Sequence, residues 1–429
     1  MELVDKKTAV SKYSSYTDSQ VYWLGEIPSH WERKKLKHVF HEKKKKSNSN
    51  LNCGSISFGK VVYKDDDKVP ESTKASYQEV LAGEYLVNPL NLNYDLISLR
   101  IGLSDIDVVV SSGYIVLKNS IQINKAYFNY LLHRYDVAYM KLLGSGVRQT
   151  ISFNHIADSI LALPPLQEQK AIAEFLDDKT SKIDRAIAQK EQMILLLKER
   201  KQIIIQNAVT KGLDPNVKMK DSGVDWIGEI PEHWEVKKTK NLGDIVNGAT
   251  PSSSISKFWD GEIIWITPTD INEIVYAKSS DRKITHFGYR SCGTTMVPKG
   301  SIVLTTRAPI GKVCIAGNEL CTNQGCKSIV PRREMSSNFL YYSFSISSAV
   351  LNSLGTGTTF MELSSKALKD FKIPIPISIN EQKAIVNYIE KQSEKFKTSI
   401  QLEQTQIEKL KEYKTTLIDS AVTGKIRVC

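Results

Sequence analysis

The sequence DSQVYWLGEIPSHWERKKLK at residues 18–37 recurs as DSGVDWIGEIPEHWEVKKTK at residues 221–240. Fourteen of these 20 positions are identical, at an offset of 203 residues. That offset is far longer than the period of a solenoid repeat, which is roughly 20 to 50 residues. The pattern therefore predicts the duplication of a whole domain with its connector, and a duplicated binder suggests a ligand with two parts.

Two shorter echoes lie downstream, both at an offset of 213 residues. EQKAI at 168–172 returns at 381–385, and AVT at 208–210 returns at 421–423. Prolines precede both EQKAI segments, and proline disfavours helix in the residues before it. Each copy of the repeat therefore has a variable body followed by a similar tail that begins after the prolines.

The tails have the clearest secondary-structure pattern. Their apolar residues recur at spacings of four and seven, which indicates a long helix with one apolar stripe. We expect each helix to have about 43 residues, roughly 60 Å, and the two stripes to pack together as an antiparallel coiled coil. The alternative is that each helix docks separately on a partner subunit. The residues expected at the helix–helix interface are Ile172, Leu176, Ile183, Ile187, Ile194, Ile385, Ile389, Phe396, Ile400 and Ile407.

The bodies carry short β-branched and aromatic segments between turn residues, which favours strands. Examples are 59–63, 85–87, 107–110, 114–117, 263–266, 301–304 and 327–330. A helix is expected in each body near 127–132 and 339–342. The expected fold is α+β: two mixed α/β modules separated by the helical pair, with a pseudo-twofold internal repeat. The expected divisions are 1–17 (N-terminal arm), 18–163 (module 1), 164–212 (helix 1), 213–375 (linker and module 2) and 376–429 (helix 2 and C-terminal tail).

The charge balance favours a polyanionic partner. The 429 residues include 58 Lys and Arg against 47 Asp and Glu, for a net charge of +11, and a basic excess of this kind favours nucleic acid. The six cysteines are too sparse for a disulfide framework. No segment has the apolar length of a membrane span, so we expect the protein in the reducing cytoplasm.

Catalytic motifs are missing from the sequence. Gly311-Lys312 lacks the remainder of a phosphate-binding loop, and no dinucleotide-binding glycine pattern opens a helix. Cys321 and Cys326 have no nearby histidine pair to complete a zinc site. His30 and His233 occupy the same repeat position, next to tryptophans, and are expected to pack at a turn. The sequence therefore predicts no chemistry by this chain alone.

These motifs resemble those of the specificity subunits of type I restriction-modification systems. The resemblance rests on GEIPxHWE at 25–32 and 228–235, the proline boundaries, and the EQKAI and AVT segments of both tails, and it covers residues 18 to 426. It implies two target-recognition domains and an antiparallel coiled coil. It also implies a non-catalytic subunit that binds an asymmetric, bipartite sequence in double-stranded DNA, one half per domain.

The resemblance also implies partners and cofactors. Two methyltransferase subunits would methylate adenine with S-adenosylmethionine, and motor-nuclease subunits would cut unmethylated DNA with ATP and magnesium. None of these cofactors is expected on this chain. Two other classes of function are a DNA methyltransferase or nuclease acting alone, which the missing motifs disfavour, and a structural coiled-coil scaffold, which the two dissimilar bodies disfavour.

Residues that could read DNA are expected in the loops of each body. Arg, Lys, Asn and Gln hydrogen-bond to base edges, and basic residues also position phosphates. The candidates are Arg100, Arg148 and Gln149 in the first body and Arg307, Lys312 and Thr358 in the second. For each, the alternative is an ordinary surface or structural residue. The lysine run 43–46 is expected either to contact phosphates or to form a solvated loop.

Overall fold

The computed structural model describes residues 11–90, 99–143, 150–272, 274–307, 309–357 and 361–428. The chain forms two compact units. Unit 1 comprises residues 1–190 and 405–429, and unit 2 comprises residues 191–404. Each unit therefore contains one module and segments of both long helices.

The described part of unit 1 contains twelve short strands, four helices and a segment of each of the two long helices. Its strands are β1 (Tyr16–Asp18), β2 (Glu26–Pro28), β3 (Glu32–Lys35), β4 (Phe40–Glu42), β5 (Gly54–Ser57), β6 (Lys60–Tyr63), β7 (Gln78–Val80), β8 (Tyr85–Val87), β9 (Ile101–Leu103), β10 (Val108–Val110), β11 (Ile115–Asn119) and β12 (Ile160–Leu163). Its helices are α1 (Leu36–Val39), α2 (Glu71–Lys74), α3 (Lys125–Ala138), α4 (Phe153–Ile156) and the start of α5 (Leu166–Lys211), with 3-10 turns at Asp66–Lys68 and Met140–Leu142.

Unit 2 repeats this series with its own additions. Its strands are β13 (Met219–Asp221), β14 (Glu229–Pro231), β15 (Glu235–Lys238), β16 (Gly243–Asn247), β17 (Trp259–Ile266), β18 (Tyr276–Ala277), β19 (Lys283–Ile284), β20 (Ile302–Thr305), β21 (Val313–Ala316), β22 (Cys321–Thr322), β23 (Cys326–Pro331) and β24 (Lys372–Ile375). Its helices are α6 (Thr239–Leu242), α7 (His286–Arg290), α8 (Ser337–Ser345), α9 (Ser348–Ser353), α10 (Ser365–Asp370) and the first part of α11 (Ile379–Val422), with a 3-10 turn at Ser256–Phe258.

The central sheets of the two units have the same strand order. In unit 1 the order is β4-β11-β8-β9, and in unit 2 it is β16-β23-β20-β21 with β18 added at the edge. The pairs β3–β12 and β15–β24 also correspond, as do β1–β2 and β13–β14. The internal repeat and the mixed α/β modules predicted from the sequence are confirmed.

The strands outside this common core differ between the units. Unit 1 adds the hairpin β5–β6 and the pair β7–β10, whereas unit 2 adds the sheet β19-β17-β22. One scaffold therefore carries two different sets of additional structure.

The long helices run antiparallel in each unit. In unit 1 Lys414 of α11 binds Asp184 of α5 at 2.7 Å, and Gln406 of α11 binds Lys190 of α5. Residue numbers along α11 therefore decrease as those along α5 increase. In unit 2 Ile205, near the end of α5, shares a core cluster with Ile385, near the start of α11. This confirms the expected antiparallel pairing.

Most of the residues expected at the helix–helix interface are buried. Ile172, Leu176 and Ile183 belong to the core of unit 1, with Ile187 packed against it, and Ile385 and Ile389 belong to the core of unit 2. Ile194 and Ile407 are buried, while Phe396 and Ile400 are half-buried. None of the described helices contains an apolar stretch of the length and hydropathy that crossing a membrane requires.

Candidate nucleic-acid interface

One end of each central sheet gathers the loops that vary between the units. In unit 2, β16 ends at Asn247, β20 ends at Thr305 and β23 begins at Cys326. Because β23 is antiparallel to both neighbours, these three points lie at the same end. We call it the loop end of the sheet. In unit 1 the matching points are Glu42, Val87 and Ile115.

A second loop joins the loop end in the same way in both units. In unit 2 the backbone of Thr306 accepts a hydrogen bond from Leu363, and Arg307 forms a β-bridge with Glu362. In unit 1 Pro89 accepts from Ile151, and Leu90 forms a bridge with Thr150. In unit 1 the segment after β8 is thus paired with the segment before α4, and in unit 2 the segment after β20 is paired with the segment before α10. The backbone arrangement is the same in both units, but the side chains differ.

Arg307 is exposed at the loop end of unit 2. Its guanidinium contacts the Glu362 carboxylate through Nε and Nη2, both at 3.1 Å, and the Arg307 side chain is 46% exposed. An exposed ion pair of this kind stabilises a fold by about 1 kcal/mol or less. The pair therefore holds the guanidinium in place and leaves its remaining donors available to a ligand.

Lys312 lies at the other end of the same loop. Its Nζ donates to Asn272 Oδ1 at 2.7 Å, and its backbone N–H donates to the Thr305 hydroxyl at 3.0 Å. The Thr305 hydroxyl in turn donates to the Pro309 carbonyl at 2.6 Å. Gly311 has φ +92°, and a Cβ at this position would lie 2.8 Å from Ser348 Cα. Thr305, Pro309 and Lys312 are thus linked in a compact turn after β20, close in sequence to Arg307.

Lys327 and Asn247, which no sequence motif singles out, also belong to this end. Lys327 is 7% exposed, and its Nζ donates to Asn247 Oδ1 at 3.2 Å. Burial lowers the pKa of Lys327, an effect that the Glu362 charge opposes and the Arg307 charge strengthens. Lys327 lies within a strand-like segment, where nothing in the sequence marks the side chain as near a loop.

Arg100 lies in the interior of unit 1. Its Nε contacts Asp136 Oδ1 at 2.9 Å, its backbone N–H donates to Oδ2 at 2.6 Å, and its side chain is 7% exposed. Burial raises the pKa of Asp136, and the Arg100 guanidinium opposes that shift. Arg100 therefore ties the start of β9 to α3, and the structure gives it no open face toward a ligand. Arg148, Gln149 and Thr358 lie outside the described residues.

The lysine run begins where β4 ends, at the loop end of unit 1. Lys43 is half-buried and pairs with Glu84 at 2.8 Å and Glu79 at 3.3 Å. Lys45 Nζ donates to the Ser112 carbonyl at 2.8 Å, in the turn before β11. Lys44 and Lys46 are exposed. The run therefore combines one structural lysine with cations that face solvent.

Both histidines of the repeated motif contact a carboxylate in the first turn of a long helix. His30 Nε2 lies 2.6 Å from Glu168 Oε1, and His233 Nε2 lies 3.1 Å from Glu381 Oε2. Across the described residues, no cluster of three or more His, Cys, Asp or Glu is arranged to hold a metal ion.

Comparison with protein families agrees with the duplication. The model of the type I restriction modification DNA specificity domain matches residues 28–195 and, again, residues 231–412. These two matches cover most of the chain and correspond to the two copies of the repeat.

Two relatives come from Methanocaldococcus jannaschii. The putative type I restriction enzyme MjaX specificity subunit is 27% identical over 431 residues, covering 94% of this chain and 96% of that protein. The type I restriction enzyme MjaIX specificity subunit is 44% identical over 161 residues, which is only 37% of either chain.

Solved structures share the fold. One solved chain has a TM-score of 0.68 at 15% identity, and the match covers 92% of this chain and 98% of that one. Its structure is titled "Structural basis underlying complex assembly and conformational transition of the type I R-M system". The HsdS subunit from Thermoanaerobacter tengcongensis has a TM-score of 0.53 at 16% identity, covering 93% and 98%. With two matched specificity domains and a relative of nearly equal extent, this chain belongs to the family of type I restriction-modification specificity subunits.

Proposed function

We propose that this chain is a non-catalytic subunit that binds an asymmetric, bipartite sequence in double-stranded DNA, with one half bound by each unit. The observation that carries the proposal is the common sheet order of the two units combined with their different additional strands. A common scaffold with different loop structures suits two readers of two different half-sites. The net charge of +11 supports a DNA ligand.

For unit 2 we propose that the loop end of the sheet faces the second half-site. Arg307 and Lys312 present cations there, and Asn247 and Asn272 present amides that can pair with base edges. The buried Lys327 side chain orients Asn247 through its hydrogen bond to the Asn247 amide oxygen. Thr358 remains a candidate on sequence grounds.

For unit 1 we propose that the corresponding loop end faces the first half-site. Lys44, Lys45 and Lys46 supply phosphate contacts, whose contribution falls as salt rises. Arg148 and Gln149 remain the proposed base readers of this unit. Arg100 is left out of the proposed readers because its guanidinium is buried against Asp136.

The chemistry is proposed to reside on partner subunits. Two methyltransferase subunits would methylate adenine with S-adenosylmethionine, and motor-nuclease subunits would add cleavage driven by ATP and magnesium. Charged side chains on the outside of α5, including Lys198, Glu199 and Arg200, are exposed and suit a protein partner there. We assign target recognition to residues 18–163 and 213–375, and the spacer role to 164–212 and 376–429.

The experiment that tests the function is adenine-methylation mapping by single-molecule sequencing. DNA from cells with the cognate methyltransferase would be compared with and without this chain. We expect a new bipartite motif with a fixed gap that appears only with the chain. If the complex assembles and no motif depends on the chain, the scaffold function is favoured instead.

A further inference from the structure

Phe58 is an exposed aromatic residue at the tip of the β5–β6 hairpin in unit 1. Its side chain is 77% exposed, while its turn partner Gly59 is buried. β5 pairs with β6 in register from Gly54↔Tyr63 to Ser57↔Lys60, so Phe58 and Gly59 form a two-residue connection. The hairpin thus presents a phenyl ring to solvent on a short, paired support.

The backbone at this tip is strained. Phe58 has φ +46° and Gly59 has φ +74°, which is the mirror-image turn that normally selects Asn-Gly or Gly-Gly. A bulky residue at positive φ is a true outlier. The other non-glycine residues with positive φ in the described chain are Gln20 and Asp260, neither of which is aromatic. Strain of this kind is concentrated at functional sites.

Close packing fixes the tip at the loop end of the unit 1 sheet. A Cβ built on Gly59 would lie 2.9 Å from Leu99 Cδ1, and one built on Gly102 would lie 2.6 Å from the Gly59 carbonyl oxygen. The backbone carbonyl of Arg100, next to Leu99, accepts from Asn88, so this point closes the loop that follows β8. The two facing glycines therefore hold Phe58 beside the segment proposed to face the first half-site.

The tip of the hairpin carries a lysine and no acidic residue, whereas the segment beyond β6 mixes acidic residues with Lys64 and Lys68. Lys60 follows the turn and is exposed. The acidic residues Asp65 and Asp67 come after β6, and Tyr63 lines a shallow depression with Asp105 and Asp107. That end lies about 10 to 15 Å from the tip, at about 3.3 Å per strand residue.

We propose that Phe58 is a DNA-contacting residue of unit 1 that places its ring against a base step of the first half-site, with Lys60 on a neighbouring phosphate. This contact rests on the proposed function. Apolar side chains that insert between base steps unstack them in part and bend the duplex, and stacking on a base is tolerant of sequence because every base has a π-face. The ring would therefore contribute to the affinity for DNA and to a preference for half-sites whose base steps unstack easily. The hairpin has no counterpart in the sheet order of unit 2 as described, so the contact is specific to one half-site.

The test uses the full chain assembled with its methyltransferase subunits, on duplexes carrying the motif found by methylation mapping. Phe58→Gly should weaken binding on the order of 10-fold while leaving the slope of affinity against salt unchanged, because no phosphate contact is lost. Phe58→Trp should retain binding. A 2-aminopurine probe in the first half-site should brighten with the wild-type complex and remain quenched with Phe58→Gly.

Two controls separate this contact from a structural effect. Phe58→Gly relieves the strained φ and should raise the melting temperature of unit 1, so weaker binding cannot be attributed to unfolding. Tyr63→Ala removes another exposed aromatic residue of the same hairpin, at its acidic end, and should leave binding unchanged. A chain-dependent motif, to which Phe58→Gly binds with wild-type affinity and the same probe brightening as the wild type, overturns this contact alone. The absence of any chain-dependent motif overturns the proposed function and this contact with it.

Discussion

The indole N–H of Trp31 donates to the carboxylate of Glu168, the third residue of α5, over 3.0 Å. His30 contacts the other carboxylate oxygen at 2.6 Å. The same contact recurs in unit 2, where Trp234 donates to Glu381 over 2.9 Å. A carboxylate in the first turn also suits the positive end of the helix dipole. The GEIPxHWE and EQKAI motifs, which reveal the duplication in the sequence, are therefore the two sides of one clamp.

Replacing Glu168 by Ala should lower the free energy of unfolding of unit 1 by about 1–3 kcal/mol, because the Trp31 N–H loses its acceptor in a buried site. Hydrogen exchange in increasing urea would report on unit 1 and unit 2 separately. Glu174→Ala is the matched control: it lies on the same helix, with its side chain 68% exposed, and should change the free energy by less than about 0.5 kcal/mol. Equal losses for both variants would refute the clamp.

The two glycines that end the long helices should differ in their tolerance of a side chain. Gly212 and Gly424 have φ of +76° and +73°, so an alanine at either is strained by about 1–2 kcal/mol. A Cβ on Gly424 would also lie 2.3 Å from Pro28 Cδ, whereas the nearest atom to a Cβ on Gly212 is Trp234 Cζ2 at 3.4 Å.

We therefore expect Gly424→Ala to destabilise unit 1 by about 1–3 kcal/mol more than Gly212→Ala destabilises unit 2, because overpacking adds to the strain. The two variants serve as controls for each other in the same hydrogen-exchange measurement. Similar losses would mean that Pro28 moves aside without cost.

The long helices were predictable from the sequence because their pattern is local. Apolar spacing fixes the stripe, the prolines mark the start and Gly212 marks the end, and α5 does end at Lys211. The strand segments were also predictable from β-branched residues, and examples such as 85–87 and 301–304 correspond to β8 and β20. The order of strands within each sheet was not predictable, because it depends on pairings between residues far apart in the sequence.

The candidate site was harder to predict for the same reason. Arg100 has the side chain of a DNA reader, yet Asp136, which binds it in the interior, lies 36 residues away. The sequence around Lys327 predicts only a strand, and its contact with Asn247, 80 residues away, arises from the pairing of strands in the fold. Loop placement in the sequence named Arg307 and Lys312 as candidates, but it did not reveal the Glu362 and Asn272 side chains that hold them.

The antiparallel register of the helices predicts a specific cross-link in unit 1. Lys414 binds both oxygens of Asp184 at 2.7 Å. A chain with cysteines at 184 and 414 should be joined by a short bis-maleimide linker, whose span replaces the reach of the lysine side chain, and the product is detected by peptide mass spectrometry. Cysteines at 177 and 414 are the control, because two helical turns separate residue 177 from residue 184 by about 10 Å. A cross-link in the control and not in the first pair would show a shifted register.

Acid should destabilise unit 1 through His133. Burial lowers the pKa of His133 from the ordinary 6.5 to about 4, and the nearby backbone carbonyls of Ile101 and Gly59 oppose this shift. Because the folded pKa is the lower one, the unfolded chain binds the proton first as pH falls. The stabilisation is complete above about pH 6.5 and is lost as pH falls toward 4, by up to roughly 3 kcal/mol.

This prediction is checked by measuring the unfolding free energy of unit 1 between pH 7 and pH 4. His133→Leu should flatten the part of the pH dependence that lies in this window, whereas replacing the exposed His41 by Leu should leave it intact. An unchanged slope in the His133 variant would show that other groups carry the acid sensitivity.

Arg307 should read one base position of the half-site bound by unit 2. Its guanidinium is oriented by Glu362 and retains donors that can bind a guanine edge, a contact that contributes about 1–3 kcal/mol of discrimination. In the assembled methyltransferase complex, Arg307→Ala should relax the methylated motif at one position of that half-site and leave the other half-site unchanged. Arg333→Ala is the matched control, since Arg333 is exposed beyond the opposite end of β23. A uniform loss of affinity on all sequences, with a shallower salt dependence, would instead make Arg307 a phosphate contact, and an unchanged motif with unchanged affinity would remove it from the interface.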